Sequence, residues 1–596
     1  MIGSRKALSA GIIFALLLIG SAENGGTQNC SITVQPGQSI QQAINTVGEG
    51  ALVCVASGTF TENITITKSV SLRGAGSAQT VLQGSVRIER DQEIRVALTG
   101  WTITGSRFGA ALRVAGQAVV TLDDLTLTES FSGLLATGSA MVTATNSRFV
   151  KNQFDGARAE NAARVTLSRA LISENYDGIV VRDSAQLDLR QSALTDNRYC
   201  GLRVLSGKAT GDPNEMRGNG ADLCGFASAT LRKPLAPQTD KAQLTVPGDL
   251  QNIQEAVDAI APGGTILLQN GTYDVGLTLW KPVTLRGPAT LTALPDRQLI
   301  LSLTAEAESV IIESVTITGS RGDGLLLYGQ ALLQNTQITK NADDGVEISG
   351  AARVQLKNTS VLSNGDDGLF VSEKAQVTLT NSTVSENKGD GIEARDSTMI
   401  KLQNSQIANN GLRGLDVRIA AQLELSESRV VGNKADGGVV RDSAQARLEA
   451  AQILNNGANG LVVTDKALGV IANSTLSNNA SNGLEVSGTA TAEVRRTVVQ
   501  SNGSAEACLR ADQPCSGVVI VGDAHVRFID SAVRANTDWG IMAWLRRCGA
   551  TFDFFRGTVT FEGTNIIEGN NRSGNHKGNP GTHPFTNLPD GQVCLP

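Results

Sequence analysis

Three arginines, Arg395, Arg418 and Arg441, stand at a constant step of 23 residues (418 − 395 and 441 − 418), and Glu393 and Asp416 each lie two positions before one of them. A guanidinium fork binds carboxylates in a fixed plane. A column of such forks with acids alongside could grip the carboxylates of an acidic polymer. An arginine flanked by acids could serve as a lyase base if a Ca²⁺ ion neutralised the substrate. Glu393, Arg395, Asp416, Arg418 and Arg441 are therefore the expected catalytic set. The same charges on an exposed sheet also pair with one another across strands, each pair contributing about 0.2–1 kcal/mol.

A second column runs Asp344, Asp367, Asp390, Arg413, Asp436, Asn459, Asn482, and Asp343 and Asp366 double its acidity. Carboxylates in adjacent rows are oxygen ligands for a hard cation, or an acid and a base flanking a glycosidic bond. Asp343, Asp344, Asp366, Asp367 and Asp390 are the expected metal ligands, with Ca²⁺ the one candidate cofactor. Asp-Gly is also among the commonest turn pairs, and Arg413 between Asp390 and Asp436 relieves their repulsion.

What positions these columns is a repeat. Asn341, Asn364, Asn387, Asn410, Asn433, Asn456, Asn479 and Asn502 keep the same step, and Gly345, Gly368, Gly391, Gly414, Gly437, Gly460 and Gly483 follow four residues behind seven of them. Between Gly345 and Asn364 the apolar residues Val346, Ile348, Val354, Leu356 and Val361 alternate with polar ones, and Leu369, Val371, Val377, Leu379 and Val384 take the same offsets in the next unit. Period two means strands buried on one face. A unit of three short strands cannot bury its apolar face alone, so copies must stack as a solenoid, with coils roughly 4.8 Å apart. Equivalent asparagines then form an amide ladder, and the glycines are expected at positive φ. A weaker column, Asn358, Asn381, Asn404 and Asn473, is read as structural.

The composition agrees: 41% hydrophobic, only 4% aromatic and 64 glycines in 596 residues suit a long, thin core of small and β-branched side chains. A formal charge of −6 argues against a nucleic-acid surface. Residues 1–22 carry Arg5 and Lys6, an apolar stretch from Leu8 to Ile19 and a small-residue Gly20-Ser21-Ala22 end, the pattern of a cleaved secretory signal. The stretch is short for a membrane span, and no later segment could span. Thr27-Gln28-Asn29 before Cys30 does not resemble a lipid-attachment box. Eight cysteines after an export signal read as four local disulfides, Cys30 with Cys54, Cys200 with Cys224, Cys508 with Cys515 and Cys548 with Cys594. Without CxxC pairs, and with only His525, His576 and His583, a zinc or copper site is not expected.

Two passages repeat. I-T-V-Q-P-G-Q-S-I-Q-Q-A-I-N-T-V near residue 32 and L-T-V-P-G-D-L-Q-N-I-Q-E-A-V-D-A-I near 244 each read as a strand, a turn and a short amphipathic helix, capped by Ser39 with Gln42 and by Asn252 with Glu255. A solenoid end exposes strand edges that such a helix covers. The expected organisation is a first module at 23–232, a linker at 233–241 and a second module at 242–596 with a disulfide-closed C-terminal cap. The first module shows a shorter series, Asn152, Asn175 and Asn197 with Gly133, Gly156, Gly178 and Gly201. In the second, Asn502 to Asn536 spans 34 residues, which is 23 plus 11, so a loop pinched by Cys508 and Cys515 interrupts the array. Exposed aromatic platforms are scarce, with Trp539 and Trp544 near Gly540 the nearest to one and Trp544 expected to point outward.

With capped starts and N-x-x-D-G coils, the chain resembles the right-handed parallel β-helix superfamily of pectin-lyase-like proteins, in its asparagine-laddered branch. The resemblance covers nearly all of the chain after the signal. It implies an all-β right-handed parallel β-helix solenoid, here two tandem β-helix modules each with a short N-terminal capping helix. The superfamily includes polysaccharide lyases, glycoside hydrolases, uronate epimerases, adhesins and copper-accessory proteins, so fold alone does not fix activity. The polygalacturonase series N-T-D, D-D, G-H-G, R-I-K does not transfer: Asn536-Thr537-Asp538 follows Asp366-Asp367, and the last two motifs are absent, as is the D-P-H of alginate epimerases. The expectation is a secreted, periplasmic or cell-surface protein whose partner is an extracellular or cell-wall polysaccharide, with no nucleic acid, or an elongated scaffold. The alternative is a uronate lyase or epimerase acting on an outer strand face. Ligand and oligomeric state are not readable.

Overall fold

A computed structural model of the chain describes residues 29–504, 515–543, 548, 555–576 and 588–595. The expected signal segment, Cys508 and Trp544 lie outside them. The array is a parallel β-solenoid. One coil comprises the strands Val346–Ile348, Arg353–Lys357 and Ser360–Leu362. The next pairs with it in parallel, Val346 opposite Leu369, Val354 opposite Val377 and Val361 opposite Val384. The same step carries through every regular coil because alternate residues point into a core that is continuous along the axis. Across the 34-residue interval the register resumes with Val486 opposite Ile520.

The asparagines run inside the turn. Asn364 Nδ2 donates to Asn387 Oδ1 at 2.9 Å, Asn387 to Asn410 at 3.0 Å and Asn410 to Asn433 at 2.9 Å, all fully buried. Asn502 continues to Asn536 at 3.0 Å, so the ladder crosses the interruption.

The expectation for the glycines is corrected. Gly345 and its copies are not at positive φ. A Cβ at Gly345 would sit 2.6 Å from Val361 Cγ1, 2.7 Å from Asn364 Nδ2 and 2.7 Å from the carbonyl of Gly368, so the close approach of the next coil selects glycine. The left-handed conformation falls instead on the residue before each ladder asparagine and on the weaker column, where Asn358, Asn381 and Asn473 have φ of 49°, 49° and 51°.

Helix α1 (Ile40–Thr46) is capped by Ser39 and buries Ile40, Ala43 and Ile44. Helix α2 (Ile253–Ala259) is capped by Asn252, whose side chain accepts from Gln254 N and Glu255 N. Each stripe packs into one of two apolar clusters, running from Val34 to Leu231 and from Leu244 to Leu595. Disulfides join Cys30 to Cys54, Cys200 to Cys224 and Cys548 to Cys594. Among the described residues no helix is long and apolar enough to cross a membrane.

Candidate functional site

The strand row that begins at Leu277–Leu279 carries one outward column, in register order Thr278, Ser302, Leu326, Glu347, Phe370, Glu393 and Asp416. The first three are 0% exposed although they point away from their own core. The end of the first half covers them. Thr278 Oγ1 accepts from Asp222 N at 2.9 Å and Leu223 N at 3.2 Å, and Leu299, Leu326 and Tyr328 pack against Tyr199, Cys200, Ala221 and Cys224. The column emerges at Glu347, which is half-buried. A step therefore forms, with Glu347, Phe370 and Glu393 as its tread and Tyr199 and Arg203 on its riser.

The riser is held by an aromatic stack. Phe131, Phe154, Tyr176 and Tyr199 follow one another with ring centroids 4.4, 5.9 and 5.4 Å apart. Their faces are spent on each other, so the stack fixes Tyr199 and offers solvent mainly ring edges. The Tyr199 hydroxyl donates to Asp323 Oδ2 at 2.6 Å and reaches Glu347 Oε2 at 3.3 Å. Arg203 lies over the Tyr199 ring at 5.0 Å, with Nη1 3.7 Å from Asp177 and Nη2 3.6 Å from Glu347. Its Nε is buried without a hydrogen-bond partner.

Burial is the main force on the acids here. It pushes Asp323 up to about 8, assisted by the charge of Glu347 and opposed by the Tyr199 hydrogen bond. It pushes Asp344 up to about 9 with the charges of Asp323 and Asp367, and Asp367 up to about 7. Asp177 rises only to about 6 because Arg203 opposes burial. Tyr176 is raised by burial and then by Asp177 and Asp323. Carboxyls that keep a proton near neutrality can donate hydrogen bonds or act as general acids.

The expected catalytic set lies on the tread and beyond, brought together as a chain of ion pairs. Arg418 pairs with Glu393, and Asp416 takes Arg441 Nη2 at 2.6 Å and Arg413 Nη1 at 2.6 Å. Arg395 rests over the Phe370 ring at 4.3 Å, near Asp396 at 4.0 Å. Asp416, expected outward, is only 1% exposed because the two arginines close over it.

The acid column caps turns. Asp323 Oδ1 accepts from Asp344 N at 3.2 Å, Asp344 Oδ1 from Asp367 N at 2.9 Å, Asp367 Oδ1 from Asp390 N at 2.6 Å and Asp390 Oδ1 from Arg413 N at 2.7 Å. Of the expected metal ligands, Asp343, Asp344 and Asp366 present oxygens within 4.8 Å of one another, while Asp390 groups instead with Glu393 and Asp416. Asp367 is buried in the capping role. The first trio has the oxygen chemistry a hard cation takes; at the second, Arg413, Arg418 and Arg441 already supply the positive charge.

Sequence reasoning centred on the regular array passed over the riser. Its signal was an aromatic two residues ahead of Gly133, Gly156, Gly178 and Gly201. Nothing in the repeat marks that Tyr199 meets Asp323, since they belong to different series 124 residues apart. Trp539 is buried, stacked on His576 at 5.0 Å.

The family model described as a right handed beta helix region matches residues 110–227, 300–447, 367–537 and 439–576. No curated protein sequence matches the chain. Among solved structures, a pectate lyase, Pel9A, is 15% identical over 56% of this chain and 79% of its own, with a TM-score of 0.29. The PL6 family alginate lyase AlyGC is 11% identical over 90% of this chain and 99% of its own, with a TM-score of 0.25. The A-module of the Azotobacter vinelandii mannuronan C-5 epimerase AlgE4 is 12% identical over 62% and 87%, with a TM-score of 0.19. Similarity at this level says nothing about what this chain acts on.

Proposed function

The chain belongs to the right-handed β-helix family, and from that premise we propose that it is an exported, elongated protein that recognises extracellular carbohydrate at the step beneath Tyr199. One observation carries this reading: the step gathers a tyrosine hydroxyl, proton-retaining carboxyls and a partly unsatisfied guanidinium beside the half-exposed Phe370 ring. Sugar hydroxyls both donate and accept, and recognition sites for them combine an apolar surface with a few placed polar groups. Disulfides between consecutive coils support an oxidising, extracytoplasmic location. The two apolar clusters and helices α1 and α2 support a division into two modules, each started by a capping helix. Affinity electrophoresis of the full chain in gels containing soluble polysaccharides tests recognition. Retention in at least one gel, weakened by Phe370→Ala and Tyr199→Phe, is expected. Unretarded migration in every gel overturns it.

A second, catalytic reading as a uronate lyase or epimerase is favoured by the adjacent Asp323 and Asp344, which burial pushes up to about 8 and about 9. It is tested by incubating acidic polysaccharides with the protein, with and without Ca²⁺. Release of unsaturated uronates, lost in Arg418→Ala, supports it, and unchanged polymer length and composition remove it.

A further inference from the structure

The charges around the step are unevenly engaged, and this bears on which glycan it suits. Most guanidinium groups near it are already engaged. Arg158 Nε pairs with Asp155 at 2.6 Å, Arg198 donates to the carbonyl of Gln153 at 2.8 Å and lies over Tyr176, and Arg203 sits between Asp177 and Glu347. Further along the tread, Arg418 is taken by Glu393 and Arg413 and Arg441 by Asp416, while Arg395 stacks on Phe370 with Asp396 at 4.0 Å. The acids are not matched in the same way. Asp343 and Asp366 are exposed at the rim and have no cationic partner among the described residues, and Asp323 and Asp344 meet neighbouring acids within the cluster.

A uronate polymer needs open guanidinium forks, because each carboxylate it brings loses hydration and must be paired. Here it would meet arginines that are mostly engaged and acids without cationic partners. A neutral, hydroxyl-bearing sugar brings no charge that must be paired, only hydroxyls to be hydrogen-bonded. Its vicinal hydroxyls can donate to the exposed carboxylates of Asp343 and Asp366 and to the half-buried Glu347.

Resting on the reading of this step as a carbohydrate site, we propose that its ligand is an uncharged polysaccharide bearing vicinal diols, and that uronate polymers are discriminated against. Neighbouring acids that face the ligand are Asp177 from the riser, Asp323, Asp343, Asp344 and Asp366 from the turn column, and Glu347 and Glu393 from the tread; the facing cations are Arg158, Arg198 and Arg203 from the riser and Arg395 and Arg418 from the tread.

The test is isothermal titration of the full chain at low ionic strength and pH 7.5. The probes are cello-, xylo- and manno-hexaose, laminari-hexaose as a neutral control whose internal residues lack a vicinal diol, hexagalacturonate, hexamannuronate and a glucosamine hexamer. One neutral hexasaccharide is expected to bind at least about tenfold more tightly than either uronate, a gap of about 1.4 kcal/mol. The double variant Asp343→Asn, Asp366→Asn, whose residues are exposed, should narrow that ratio several-fold by strengthening the uronates. Uronates binding as tightly as the best neutral sugar, or the glucosamine hexamer binding tightest, overturns the inference and leaves carbohydrate recognition standing. Absence of binding by all seven probes, repeated on the polymers, overturns recognition itself.

Discussion

Ile419 is the residue that fits its position worst. It has φ of 66° and is 45% exposed, in a turn column otherwise held by Gly350, Glu373, Asp396, Asp442, Asp465 and Gly488. A β-branched side chain in the left-handed region is strained. The aspartates of that column also cap the preceding coil: Asp396 Oδ2 accepts from Glu373 N at 3.0 Å and Asp442 Oδ2 from Ile419 N at 2.9 Å, a bond that isoleucine cannot offer to the coil before it. Ile419→Asn should raise stability by about 1 kcal/mol, seen as a higher urea midpoint with unchanged slope. The opposite outcome belongs to the amide ladder. Asn387→Ala removes the acceptor of Asn364 N at 3.1 Å and Asn364 Nδ2 at 2.9 Å, both buried. Two orphaned donors should cost about 2–4 kcal/mol, and protection of neighbouring amides in hydrogen exchange should fall first within the coils adjoining residue 387. Both effects were within reach of the sequence only in part. The ladder was legible because its residue type repeats at one offset. Which of the two asparagine columns takes the left-handed turn was not, because asparagine suits both an interior amide stack and an exposed positive-φ corner.

At the level of elements, a buried arginine fastens part of the joint between the two halves. Arg232 Nε donates to Asp222 Oδ2 at 2.6 Å and Nη1 to both oxygens of Asp258 at 2.8 and 2.9 Å, and all three side chains are at most 7% exposed. Asp258 belongs to α2 and also accepts from Leu235 N at 2.7 Å, so the segment expected as a linker is fastened to the helix it leads to. Removing one member of such a triad leaves uncompensated buried charge, and Arg232→Met should destabilise the joint by about 3–5 kcal/mol. Because a solenoid's coils couple chiefly to their neighbours, the loss should appear as a separate early unfolding transition in calorimetry. A single transition lowered as a whole would show that the halves unfold together. The helices themselves were legible, through the Ser39 and Asn252 caps and the apolar stripes behind them. The triad was not, since its three members come from different local patterns and none repeats.

Over the whole molecule, legibility followed periodicity. Strand order, register and the column of Glu393, Arg395, Asp416, Arg418 and Arg441 could be read from one repeated offset. The step could not, because it arises where two arrays with separate registers meet and buries outward residues such as Thr278 and Leu326 that the repeat marks as exposed. That same burial makes the joint acid-favoured. A carboxyl that holds its proton to higher pH when folded than when unfolded contributes fully below its unfolded value, near pH 4, and loses that contribution as pH rises through the folded one. Asp177, Asp367, Asp323 and Asp344, held up to about 6, 7, 8 and 9, place the loss between about pH 4 and pH 9. Ionisation there adds negative charge to the second half, where Glu347 already stands, against Asp177 of the first, across a contact where Arg203 lies between Asp177 and Glu347. The thermal midpoint of the joint should therefore fall from pH 5 to pH 9. Asp323→Asn with Asp344→Asn should flatten that fall, raising the midpoint at pH 9 by several degrees while leaving it nearly unchanged at pH 4, where the native carboxyls are already protonated. A pH profile as steep in the double variant as in the native chain would assign the titration to other groups and leave the step without its protonated acids.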